Sequence, residues 1–214
     1  MVYEERLQGE YGRLLREASA HFEGKGRVYQ TLLNLARRLD GEGIPYAIIG
    51  GMALGKHGLA RMTEGVDALM TLEGLAAFQA QCVGKGYVPA FSGSRKTFRD
   101  TDTQVRIEII TTGEYPGDGK PKSVVFPDPT EVSVEVEGVC VVTLEKLIEL
   151  KLASGMSAPH RLRDLADVQD LISILSLPTD FAEKLDESVR GEYQRLWQSV
   201  QDTQVRQASS KCIT

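Results

Sequence analysis

Nothing in this 214-residue chain approaches a run of 18 apolar residues, so no segment reads as a membrane-spanning helix. Cysteines are few and far apart: Cys82, Cys140 and Cys212 form no C-x-x-C pair. The opening Met1-Val2-Tyr3-Glu4-Glu5 has no signal-peptide layout. An odd cysteine count without an export signal favours reduced thiols and a cytoplasmic protein with no membrane partner. Positive charge is in deficit as well. A net charge of −5 and a pI near 5.4 exclude a broad basic surface that grips nucleic acid non-specifically, while leaving room for a small basic pocket. His21, His57 and His160 are scattered without metal-ligand spacing and read as surface or turn residues. No Cys–His or G-x-S-x-G arrangement supports a covalent nucleophile, and there are no internal repeats. What remains is an ordinary globular composition, 42% apolar and 26% charged, long enough for one domain with a full core or for a domain plus a small helical appendage.

Helical periodicity runs from Glu4 to Arg38 and breaks at Gly24-Lys25-Gly26, which predicts two N-terminal helices. Ile44–Ile49 is a nearly all-apolar strand of the kind buried on both faces. Gly50-Gly51 then turns into a helix over Met52–His57, followed by a strand at Gly65–Met70, a helix at Leu72–Gly84 and a strand at Gly86–Phe91. Arg99–Ile110 holds the clearest alternation. Val105, Ile107 and Ile109 face one way and Arg106 and Glu108 the other, so this strand buries one face and offers charge on its opposite side. Gly113–Pro129 is rich in Gly, Pro and Asp and reads as a long loop near a pocket, with little packed core. Val132–Val136 and Val139–Val142 form a hairpin through Glu137-Gly138. Thr143 caps a helical remainder: Leu144–Ala153, Arg161–Leu175, and two or so more helices to about Arg206, with a disordered tail over Ala208–Thr214. The organisation is N-terminal helices at 1–40, a mixed α/β core at 41–156 and a C-terminal helical region at 157–214.

Several of these residues carry chemistry together. A Gly-Gly turn between strand and helix lets a backbone approach phosphates closely, although a tight turn between two buried elements reads as well from the sequence. Period-2 geometry puts Gly65 and Asp67 on one strand face, where an acid-x-acid pair would chelate a metal; Glu64 and Val66 point the other way. Glu108 is either a further carboxylate beside Asp67 or a solvated partner of Arg106. Lys151 lies among Leu147, Ile148, Leu150 and Leu152, so it either snorkels at the core edge or aims into a pocket. Asp164 and Asp167 share a helix face next to Arg163, the pattern of a salt-bridged helix start.

Taken together these residues resemble the minimal nucleotidyltransferase superfamily, the polymerase-β-like fold, and within it the family grouped with the AbiEii toxins of type IV toxin–antitoxin systems. The Gly-Gly-x-Ala turn is Gly50-Gly51-Met52-Ala53. The Arg-x-Thr/Ser-x-Asp-hydrophobic-Asp strand is Arg61-Met62-Thr63-Glu64-Gly65-Val66-Asp67, with Gly65 in place of the first Asp. The lysine after the hairpin is Lys151, and the Arg-x-(Arg/Lys)-Asp-x-x-Asp helix is Arg161-Leu162-Arg163-Asp164-Leu165-Ala166-Asp167. The resemblance covers roughly residues 44–172.

It implies a mixed β-sheet flanked by helices, with a helical C-terminal region. It also implies transfer of NMP from an NTP with Mg²⁺ to an unidentified acceptor: a tRNA end, a protein hydroxyl or a small molecule, with an antitoxin as a further partner. Asp67 and Glu108 are the implied metal ligands, Gly50, Gly51, Arg61, Thr63 and Lys151 the nucleotide contacts, and Arg163, Asp164 and Asp167 pocket residues, the acidic pair serving the pocket or the fold. Gly65 leaves three readings: a natural pseudoenzyme that binds nucleotide, an engineered substitution, or an active variant with displaced ligands. Loss of chemistry with retention of fold, giving a silent nucleotide- or partner-binding module, leads among them. Gly65→Asp is expected to place a carboxylate in the pocket with little change in the fold.

Overall fold

The structure, a computed structural model, describes residues 26–211, with side chains as far as 206. The first expected N-terminal helix lies outside the described residues. The second is α1 (Arg27–Gly41), whose apolar stripe of Leu32, Leu35, Ala36 and Leu39 is fully buried. It closes in a Schellman turn, with Ile44 N–H donating to the Leu39 carbonyl at 2.9 Å and Gly43 N–H to Asp40 at 3.1 Å.

The remaining elements are β1 (Ala47–Ile49), α2 (Gly50–Lys56), β2 (Gly65–Met70), α3 (Leu72–Gln81), β3 (Tyr87–Pro89), β4 (Thr97–Asp100) and β5 (Arg106–Thr111). A single turn α4 (Pro129–Val132), β6 (Ser133–Val136), β7 (Val139–Val142), α5 (Leu144–Ser157), α6 (Leu162–Ile174) and α7 (Glu187–Lys211) complete the chain. β1 is shorter than the apolar run at 44–49 because Pro45 has no N–H to give a ladder.

The alternating stretch at 99–110 is two strands. Asp100 Oδ1 accepts the N–H groups of Asp102 at 2.8 Å and Thr103 at 3.0 Å, turning the chain between β4 and β5. At the other end, residues 208–211 of the tail expected over Ala208–Thr214 continue α7, and 212–214 lie outside the described residues.

The strands form one mixed sheet of seven, in the order β3-β4-β5-β2-β1-β7-β6. β2 and β5 are parallel, as are β1 and β7, and the other pairs are antiparallel. The central strands pack apolar side chains against helices on both sides of the sheet, while Arg106 and Glu108 keep the start of β5 charged on one face. Ile48, Val66, Ala68, Met70, Ile107 and Ile109 join α1 and α3 in one core. Ala47, Ile49, Leu69 and Val142 join α5, α6 and α7 in another, with Ile110 packed against it. The fold is therefore α/β, a mixed sheet flanked by helices with a helical C-terminal region. Among the described residues no helix is long and apolar enough to cross a membrane.

Candidate functional site

The Gly50-Gly51 turn follows β1 and lies directly against β2. Ile49 is in register with Asp67. Gly50 has φ +63°, and a Cβ there would fall deep inside contact with Asp67 Oδ2. A Cβ on Gly51 would sit 2.8 Å from Thr63 Cβ and 2.9 Å from Thr63 Oγ1. Only glycine admits both the left-handed backbone and the approach to the carboxylate. The turn thus presents main chain, bare of side chains, beside an acid.

Across β2, Asp67 pairs in register with Glu108 of β5. Parallel strands in register put paired residues on one face, the face that Ile49, Leu69 and Ile110 share toward α5. Burial pushes the Asp67 carboxyl up to about 6, with the Glu108 charge adding to the rise and Arg106, Lys151 and Arg161 opposing it. Glu108 is also the partner of Arg106, Oε2 to Nη2 at 2.9 Å, so both readings of this residue hold at once: a strand-surface ion pair, and a carboxylate beside Asp67.

Gly65 differs from expectation. Its ideal Cβ would be 2.7 Å from the Arg106 carbonyl oxygen, a backbone atom in the neighbouring strand. Any side chain here has to displace β5, so Gly65→Asp does not leave the fold unchanged. The start of β2 is packed for glycine.

Opposite the two acids, α5, α6 and the segments that flank them in space build a wall of charge around the buried Lys151, Asp164 and Asp167. Lys151 Nζ donates to Asp164 Oδ1 at 2.8 Å and Asp167 Oδ2 at 2.7 Å. Arg61 Nε is 3.1 Å from Asp167 Oδ1. Arg161 Nε donates to Asp164 Oδ2 at 2.9 Å and to Ser154 Oγ at 3.1 Å, and Ser154 Oγ donates to the same Asp164 oxygen at 2.7 Å. Burial raises the Asp164 carboxyl, but the Lys151 charge, hydrogen bonds from Lys151 and Ser154, and Arg161 bring it below its ordinary value. Two carboxylates hold three cations, which leaves the wall net positive. Lys151 neither snorkels nor stands free: it is buried, and its position is set by the acidic pair.

These groups line one cavity of about 690 Å³, within the range of small-molecule sites. Gly50, Gly51, Arg61, Thr63, Asp67, Glu108, Lys151 and Asp164 all line it. Asp167 lies behind, in contact through Lys151 and Arg61. Arg163 is exposed and does not line the cavity, because one helical step from Asp164 turns it toward solvent. The loop between β5 and α4 closes one side with Glu114, Tyr115, Pro116, Gly117, Gly119 and Phe126.

Sequence reasoning missed this loop's lining residues individually, and Ser154, Arg106 and Arg161 as cavity residues. Ser154 had a signal, since it follows Lys151 by three positions on one helix face. The loop residues had none beyond loop length. Of the histidines, His57 Nε2 lies 2.7 Å from the Val142 carbonyl oxygen and His160 is exposed; His21 lies outside the described residues. Cys82 and Cys140 are free thiols.

Solved structures of nucleotidyltransferase-like proteins share this fold. One is ANT(2″)-Ia in complex with adenylyl-2″-tobramycin, with a TM-score of 0.50 and 15% identity over 77% of this chain and 96% of that one. Another is an antigenic nucleotidyltransferase-like protein from Paracoccidioides brasiliensis, with a TM-score of 0.50 and 17% identity over 84% of this chain and 89% of that one. No protein-family model and no curated protein matches the sequence.

Proposed function

We propose that the cavity binds a nucleoside triphosphate with Mg²⁺ and that the chain is laid out to transfer NMP to an acceptor hydroxyl. One observation carries this reading: Asp67 and Glu108 are in register on adjacent parallel strands, under a side-chain-free glycine turn and facing a net-positive wall across a single cavity. The donor set suits the ion. Mg²⁺ takes one or two carboxylates, with waters and substrate phosphates completing its shell. Among the described residues no group of three or more His, Cys, Asp or Glu side chains is placed to hold a metal, so Asp67 and Glu108 would hold it together with the triphosphate. When bound, Mg²⁺ neutralises phosphate charge.

The chain's own residues do the rest. The turn at Gly50 and Gly51 lets phosphate oxygens come up against main chain, and Thr63 lies beside it. Lys151, Arg61 and Arg161, held in place by Asp164 and Asp167, face the charge that develops on the leaving pyrophosphate. In the transfer the acceptor oxygen bonds to the α-phosphorus as the bond to the bridging oxygen of the β-phosphate breaks, and the acceptor proton passes to solvent or a nearby base. The ANT(2″)-Ia structure is in complex with adenylyl-2″-tobramycin, a compound that carries an adenylyl group, and this supports the reading of NMP transfer. A tRNA end, a protein hydroxyl and a small molecule are the acceptor classes. An AbiEii-like role with an antitoxin partner in the cytoplasm belongs to the same proposal and rests on the sequence motifs.

Gly65 supports a second reading, a catalytically silent module that binds nucleotide or a partner. The position has no donor and, with the Arg106 carbonyl so close, no room for one. Calorimetric titration of Mg²⁺ with each NTP, beside a labelled-NTP transfer assay on cell extract, separates the two. Binding with transfer establishes the enzyme, binding without transfer establishes the silent module, and no binding overturns both nucleotide readings.

A further inference from the structure

The cavity has two kinds of wall. Part of the lining is charged, with Asp67, Glu108, Arg61, Lys151 and Arg161. The rest includes Ile110, Leu147, Leu150, Pro116 and two aromatic rings, Tyr115 and Phe126. The rings are not equivalent. Phe126 packs against the core shared with α5 and α6. Tyr115 is half-buried and belongs to neither core cluster. Among the described residues it makes no contact with another ring, and its hydroxyl has no hydrogen-bond partner.

The segment that carries Tyr115 is held on both sides. Gly113 N–H donates to the Phe126 carbonyl at 2.8 Å and Phe126 N–H to the Glu114 carbonyl at 2.9 Å. The Glu114 carboxylate accepts the Thr111 N–H at 3.1 Å and pairs with Lys96. On the far side Pro116 is buried, its carbonyl accepts from Lys122 Nζ at 2.5 Å, and Gly117 is packed so closely on α5 that a Cβ would lie 2.7 Å from the Ser154 carbonyl oxygen. A side chain uncommitted to the core thus sits on a clamped backbone among the residues that line the cavity, together with the charged groups.

We infer that Tyr115 is the nucleobase platform of this site: the base stacks on its ring while the polyphosphate reaches the charged groups. The inference rests on the nucleotide reading above and extends it to the base. Stacking uses the π-face that every base has, so Tyr115 supplies affinity without discriminating among bases. An aromatic ring of defined position loses little freedom when a base lands on it.

The test compares Tyr115→Ala and Tyr115→Phe with the unaltered chain, by calorimetry with Mg²⁺ and either ATP, GTP, CTP or UTP, or tripolyphosphate, which has no base. Loss of a stacking contact corresponds to roughly a 5- to 150-fold rise in Kd. Tyr115→Ala is expected to weaken all four nucleotides by an amount in that range and to leave tripolyphosphate within about twofold; Tyr115→Phe keeps nucleotide affinity. Unchanged nucleotide affinity in Tyr115→Ala, or an equal loss for nucleotides and tripolyphosphate, overturns the inference while the nucleotide site stands. If the unaltered chain binds neither kind of probe, the site itself is refuted and the inference falls with it.

Discussion

Replacing Asp67 with Asn removes a carboxyl that the fold makes hard to ionise. In the folded chain it titrates near 6, against an ordinary value of 3.8, because it is buried and faces Glu108. At ~1.4 kcal/mol per pH unit, ionising it in the folded state costs at most about 3 kcal/mol. The sign follows from proton binding. Between about pH 4 and pH 6 the folded state keeps a proton that the unfolded state has lost, so stability falls as pH rises through this window. Above about 6 the full penalty is present, and below about 4 it is absent. Asp67→Asn carries no such penalty. In metal-free buffer containing a chelator, the variant should be the more stable protein at pH 7 to 8, by up to about 3 kcal/mol, or up to roughly 6–12 °C in Tm for a chain of this size. The gap should close as pH falls toward 4. Thermal melts of both proteins from pH 4 to pH 8 check this, since titrating groups that do not interact with Asp67 cancel in the difference. Adding Mg²⁺ and ATP should reverse the order, because only the native chain keeps the carboxylate that the proposed site requires. Parallel pH profiles for the two proteins would refute the account of Asp67 as a carboxyl raised by burial and by its neighbour.

Three further substitutions test the surroundings. Gly50→Ala forces a side chain into a left-handed position and into the Asp67 carboxylate, and should cost at least about 1–3 kcal/mol in urea unfolding; a neutral result would show that the turn does not lie against Asp67. Gly65→Asp should destabilise by about 1–3 kcal/mol through the contact with the Arg106 carbonyl. Unchanged stability, together with tighter Mg²⁺-dependent ATP binding by calorimetry, would instead make position 65 a simple vacant ligand position. Asp167→Asn takes one charge from a buried cluster that contains Lys151 and Arg61, and should cost about 3–5 kcal/mol. Equilibrium unfolding that shows less than about 1 kcal/mol would mean that Asp167 does not secure the lysine.

Much of the local structure was legible because its causes are local. The polar partner of the Thr143 cap is three residues away: Lys146 N–H donates to its Oγ1 at 3.4 Å. The Glu137-Gly138 hairpin turn needs only two residues with positive φ, 52° and 72°. β2 and the charged face of β5 follow from period-2 alternation, which says which residues share a face. Alternation cannot say which strand lies alongside, and the tertiary structure decided the site on that point. Parallel pairing of β2 with β5 brings Asp67 opposite Glu108, the burial this creates lifts the Asp67 carboxyl, and the same close pairing fills the space at Gly65 with the Arg106 carbonyl. Lys151 shows the same division. Its helix was readable from apolar spacing, but Asp164 and Asp167 come from the next helix, and only the packing of α6 on α5 turned a lysine among leucines into the centre of a charged wall. Tyr115 lay beyond the reach of pattern altogether, since a loop has no period, and its place over the cavity depends on backbone bonds to Phe126 and on contact with α5. Chain-local forces determined the elements; the long-range contacts between them, made of atoms that no sequence spacing relates, determined the site.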